Sequence, residues 1–258
     1  MFATGLAPYR IPVLRYRRIG GPAGDRSSVP VAAFREHVRL IGTSGRTALK
    51  VSQISELLRR RHEPAEPVLA VTIDTGYPET PAAVEHLAEH GIPATVYAQP
   101  PSPGTPERMT ADQLRDLAEI GEMVELGALA GSGPHLDSIP AQRARTEIEV
   151  SKRAIELAGG RPVSTFAYPH GAYDANLQQA VRAAGFDSAV AVKDAMSHPD
   201  DDPWAIARYT VGRDTEAADI EALLDGRGAP LAWVEDRLSA RLARASRRAR
   251  YRLLRPRG

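Results

Sequence analysis

Two short stretches of this chain place an ionisable residue beside a sharp turn, a combination that chemistry can use. One is Val71-Thr72-Ile73-Asp74-Thr75-Gly76-Tyr77, an acid leaving an apolar run into a glycine turn. The other is Phe166-Ala167-Tyr168-Pro169-His170-Gly171-Ala172-Tyr173-Asp174, with His170 held between proline and glycine. A carboxylate at such a place serves as general base or as acceptor for a substrate donor. An imidazole carries protons near neutral pH. The polar neighbours Thr75, Tyr77 and Tyr168 are expected to meet the same substrate. A lone strand-end aspartate also reads as a helix cap or turn residue, and an isolated histidine as a polar rim residue.

Positioning these groups requires a scaffold, and the flanking sequence supplies a regular one. Amphipathic segments end at glycine and lead into short apolar runs: Pro81–His90 to Ala94–Tyr97, Ala111–Ile120 to Met123–Leu126, Ile139–Ala158 to Ser164–Ala167, and Tyr173–Ala184 to Ser188–Val192. Thr110 and Gln113 have capping-box spacing. Ile11–Leu14, Val68–Ile73 and Ile206–Val211 read as further strands. Their lack of polar alternation is that of strands covered on both faces. Helices alternating with such strands predict a parallel sheet, and about seven strands predict a (β/α) barrel with function at the strands' carboxyl ends. An open sheet has the same periodicity.

The chain has 258 residues and no cysteine, which excludes disulfides and thiolate metal sites. Arg10, Arg15, Arg17 and Arg18 interrupt the amino-terminal region, so neither a secretory signal nor a membrane anchor is expected there, and a cytoplasmic location is. The net charge of +1 is uneven: from Glu235 to Gly258 nine arginines face only Glu235 and Asp236. The expected organisation is a barrel over 1–232 and a basic amphipathic helix over 233–258. That helix suits peripheral contact with anionic membrane, or docking of its apolar stripe on the barrel with the arginines exposed. Scarce aromatic residues argue against nucleic acid. His86 and His90 have the spacing of a zinc pair but are read as a surface helix end. Asp200–Asp202 with His198 reads as a solvated loop.

Taken together, the marked segments resemble the polysaccharide deacetylases, the carbohydrate esterases with a NodB-homology domain. Thr72–Gly76 is similar to the family's T-F-D-D-G, and Phe166–Gly171 to F-A-Y-P-Y-G. Ala207–Val211 is similar to a late P-R-I-x-V strand, Ile11–Ile19 to the opening strand of one branch. Glu125-Leu126-Gly127 precedes the place of an H-[ST]-x-x-H motif. The resemblance implies removal of acetyl groups from sugars, with one aspartate as base on a metal-bound water and with an aspartate and two histidines as metal ligands. Asp74 keeps the base position. The ligand positions fall on Thr75, Leu129 and Gly133, so no metal and no other cofactor is expected. His135, two residues further on, could rebuild a site with Asp74 and His170 only if its loop shifted. Arg17 stands where the opening strand usually has histidine, and Arg208 is expected to brace Asp74. The backbone N–H of His170 falls where the resemblance places an oxyanion donor.

The expected function is therefore action on, or binding of, an acetamido sugar or sugar conjugate, with metal-dependent deacetylation lost. A non-catalytic glycan- or partner-binding protein is one alternative. A metal-free acid–base enzyme on a small anionic metabolite, using Asp74 and His170 with Arg17 and Arg208 for the anion, is another.

Overall fold

The computed structural model describes residues 9–22, 24–61, 63–101, 107–131, 135–233 and 244–251. Seven parallel strands form the central sheet: β1 (Val13–Tyr16), β2 (Val68–Thr75), β3 (Ala94–Ala98), β4 (Val124–Leu129), β5 (Thr165–Ala167), β6 (Ser188–Val190) and β7 (Tyr209–Thr210). Their spatial order is β7-β1-β2-β3-β4-β5-β6, with a two-residue strand at Thr47–Ala48 added beside the start of β2. The segment before β7 links the edges. Ile206 exchanges backbone hydrogen bonds with Ala189 of β6 and with Ala191 just beyond it, and three residues later the same chain pairs with β1. The expected (β/α) barrel is thereby realised.

The helices that accompany the strands among the described residues are α1 (Val31–Thr43), α2 (Val51–Arg60), α3 (Thr80–Glu89), α4 (Ala111–Glu119), α5 (Ala141–Gly159), α6 (Ala175–Ala183) and α7 (Ala217–Leu224), with a further helical segment at 244–251. Thr110 caps α4 as its spacing predicts, and Asp174 caps α6 by accepting from the Leu177 amide. Strand side chains alternate between two cores, as the period of two requires. Leu14, Tyr16, Val71, Ile73, Phe166 and Tyr168 face the helices. Val13, Ala70, Tyr97, Leu129, Ala167 and Val190 face the barrel interior, where Val51, Ile54 and Leu58 of α2 plug one end. The α2 amino terminus is held there by Thr95 and Glu125, which accept from the Val51 and Ser52 amides. Orphan amides at a helix start need such partners.

Gly127 is required by packing: a Cβ there would lie 2.5 Å from the Tyr97 ring. The ring thus crosses the barrel, and its hydroxyl reaches Thr165 Oγ1 at 2.8 Å. It forms a floor below Asp74, its partner in register on β2. No helix among the described residues is long and apolar enough to cross a membrane.

Candidate functional site

Asp74 lies at the carboxyl end of β2 and is only 3% exposed. Two arginines hold it. Arg208, itself fully buried, donates from Nη1 to Oδ1 at 2.6 Å and from Nη2 to Oδ2 at 3.0 Å. Arg15 donates from Nε to Oδ2 at 2.6 Å. A carboxylate offers about four lone-pair sites, and three are occupied here. Burial alone would raise the Asp74 carboxyl. The charges of Arg208 and then Arg15 overcome that and hold it below its ordinary value. Arg208 is fixed in turn by the Ala191 carbonyl, by Thr72 Oγ1 and by the Tyr97 face, 5.3 Å from its guanidinium carbon.

Above Asp74 opens a cleft of about 300 Å3, lined among others by Arg15, Arg17, Thr75, Tyr77, Arg108 and His170. Of the residues expected to touch substrate, Asp74, His170, Arg17, Thr75 and Tyr77 therefore share one cavity. Arg17 donates to Ser27 Oγ at 2.9 Å and faces the Tyr77 ring. Tyr168 and Arg208, expected beside the same substrate, do not line this cleft. Tyr168 falls on the outward step of its strand, is 1% exposed, stacks on Tyr173 and donates to the Trp204 carbonyl. Arg208 faces inward beneath Asp74 and braces that carboxylate, as the resemblance implies.

Sequence reasoning missed Arg15 and Arg108. The alternation that turns Val13 inward also turns Arg15 inward, and this was the available signal. Arg108 enters the cleft from the loop before α4, where it donates to the Pro100 and Gly131 carbonyls. With Arg17, they give the wall three guanidiniums.

Both turns that deliver the marked residues are strained alike. Thr75 has φ 78° and is followed by Gly76 at 68°; His170 has φ 57° and is followed by Gly171 at 72°. A β-branched residue in the left-handed region is costly and persists only where its surroundings impose it. Gly171 could not be otherwise, since a Cβ would lie 2.4 Å from that of Val192.

Thr75 offers a hydroxyl to the cleft and Leu129 an aliphatic side chain, whereas Gly133 lies outside the described residues. His135 and His170 do come together, with ring centroids 4.4 Å apart. Burial first, then the charges of His170 and Arg247, push the His135 imidazole below its ordinary value. Among the described residues, the histidines and acids near the cleft do not form a three-donor group within metal-holding distance.

The rim beside these histidines is closed by the basic tail. Residues 244–251 are helical, whereas 234–243 and 252–258 of the expected 233–258 helix lie outside the described residues. Arg247 pairs with both carboxylate oxygens of Asp137, whose side chain is fully buried. Arg248 donates to the Asp137 carbonyl at 2.8 Å and to Asp174 Oδ2 at 3.1 Å, and Arg244 to the Tyr173 carbonyl. Contacts of this helix with the barrel thus use arginines, whereas the docking alternative has the apolar stripe inward and the arginines exposed. Asp137, unremarked in the sequence, and Asp174 at the end of the marked Phe166–Asp174 stretch are the reason.

Comparison with known proteins gives a consistent result. The polysaccharide deacetylase family model matches residues 61–189. A putative polysaccharide deacetylase of Bacillus subtilis, YxkH, is 23% identical over 205 residues, covering 79% of this chain and 72% of its own. Among solved structures, the Streptococcus pyogenes deacetylase PplD, in complex with acetate, superposes with a TM-score of 0.74 at 17% identity, over 83% of this chain and 97% of that one. IcaB from Ammonifex degensii does so with 0.71 at 18%, over 88% and 100%. A polysaccharide deacetylase from Bacillus cereus gives 0.70 at 19%, over 84% and 69%. At these identities the structural likenesses speak for the fold.

Proposed function

This chain belongs to the polysaccharide deacetylase family, and on that premise we propose that its cleft binds an acetamido sugar or sugar conjugate without metal-dependent deacetylation. The carrying observation is the state of Asp74. Its position is that of the general base, yet three N–H donors occupy it and its proton affinity is lowered. A base held this way takes a proton from water poorly.

The donors around it do not fit the family's metal. Leucine has no lone pair to give, a threonine hydroxyl is a poor substitute for a carboxylate, and Asp74 is committed to arginine. Without Lewis-acid assistance, attack on an unactivated amide loses the largest source of charge stabilisation. Arg15, Arg17 and Arg108 suit recognition instead, and they favour a conjugate that carries a carboxylate or phosphate, to which guanidinium binds bidentately.

The test pairs binding with turnover on the full-length protein. N-acetylglucosamine oligomers and N-acetylmuramic acid are titrated calorimetrically, and acetate release is measured with and without added zinc. The proposal expects binding, tighter for the anionic sugar, and no acetate. Failure of both sugars to bind would overturn it, as would zinc-stimulated acetate release.

A further inference from the structure

The far end of α3 holds donors that the cleft does not use. His86, Glu89 and His90 each place one ligand atom within 4.8 Å of the others. Residues three and four apart share one helical face, so a single turn presents all three to the same point outside the helix. Their spacing alone reads as an ordinary surface helix end, but the geometry adds a constraint on the imidazoles. His90 Nδ1 lies 2.9 Å from the His86 carbonyl oxygen. A carbonyl can only accept, so Nδ1 carries the proton and Nε2 keeps its lone pair facing outward. Metal-binding histidines are commonly fixed by this kind of outer hydrogen bond, which selects the tautomer and orients the ring.

The His86 side chain is held as well. It is 25% exposed, sits 4.5 Å from the His90 ring and packs near Phe34. The Glu89 carboxylate lies 3.5 Å from its Nδ1. His86 and Glu89 also line a cavity of about 270 Å3 together with Glu79, Glu85 and Arg35. Glu79 is engaged by Arg18 at 2.7 Å, which leaves Glu85 as the further carboxylate of that wall.

We propose that His86, Glu89 and His90 form a zinc site on the outer surface of α3, separate from the cleft. Two imidazoles and one carboxylate are a donor set zinc takes readily. Three protein ligands leave a tetrahedral position for water or for a ligand from another molecule. The site stands at the end of α3 remote from Tyr77, about 15 Å along the helix axis. It therefore brings no metal to Asp74. Zinc found in the purified protein would belong to α3 and be no sign of an active deacetylase.

The experiment uses full-length protein freed of metal by chelator, titrated with zinc against a chromophoric zinc indicator, with thermal unfolding as a second readout. One zinc per chain is expected, with a rise in Tm on zinc addition. His90→Ala and His86→Ala should each weaken binding by about tenfold or more and remove the Tm response. Glu89→Gln should weaken it less, and circular dichroism separates a folded variant, whose spectrum is unchanged, from a misfolded one, whose helical signal is lost. Unchanged zinc affinity in the His86→Ala/His90→Ala double variant would overturn the assignment. So would zinc binding lost only in a His135→Ala/His170→Ala variant, since the ion would then sit at the cleft.

Discussion

Arg208 and Asp74, 134 residues apart in the chain, face each other through two parallel N–H···O bonds, with both side chains out of water. Replacing Arg208 by Met leaves a buried carboxylate with Arg15 as its only guanidinium. Breaking such a pair from one side costs about 3 kcal/mol or more, far beyond the worth of the pair against an apolar replacement of both partners. Urea unfolding should show this loss for Arg208→Met and a smaller one for the Arg208→Met/Asp74→Asn double variant. With Asp74→Asn measured alongside, a double-variant loss equal to the sum of the two single losses would mean that the two residues act independently.

The same pair sets an acid limb of stability. The Asp74 carboxyl is depressed in the folded protein, so its contribution is present above the ordinary carboxylate value and is lost as the pH falls from about 4 toward the folded value. Unfolding measured between pH 6 and pH 2.5 should show a shallower acid limb in Asp74→Asn than in the wild type.

Thr75 is a second place where stability can be read. Its φ of 78° suits glycine and not a β-branched residue. Thr75→Gly should raise stability by about 1 kcal/mol, the lower end of what such a conformation costs. Thr75→Asp restores one family ligand but leaves Leu129, and it should bring back no zinc-dependent acetate release.

The docked tail makes a testable choice between two uses of its arginines. While Arg247 and Arg248 hold Asp137 and Asp174, they are withheld from an anionic surface. Asp137→Asn/Asp174→Asn should increase flotation with anionic liposomes relative to wild type, and ending the chain at Trp233 should abolish it. His135 lies beside Arg247 and has its imidazole pushed down, so its neutral form belongs to the docked state. Docking should loosen as the pH drops below the ordinary histidine value of about 6.5, and less so in His135→Gln. Hydrogen exchange at 136–145 reads both effects.

Much of this was legible along the chain because it is local. Glycine stops, a capping box and unbroken apolar runs placed α3 to α6 and the strands they feed, and Asp74 stood out as the acid ending one such run. What escaped depends on partners distant in sequence. Arg15 joins Asp74 only through the register that sets Arg15 beside Thr72. The sequence neighbours of Tyr168 point to the cleft, but strand alternation turns it to the helices. Helices α1 and α2 carry weaker punctuation, and the plug of α2 is explained only by Thr95 and Glu125 on strands that follow it. The arginine tail was visible as charge, but nothing local to it names Asp137.

The most direct test of the central account is acetate release from N-acetylglucosamine oligomers by the full-length protein in saturating zinc, run beside Asp74→Asn. The account predicts no acetate above the buffer control from either protein, while the wild type still binds sugar. Zinc-stimulated release by the wild type that Asp74→Asn abolishes would contradict it, because Asp74 would then be a working base despite its two arginines.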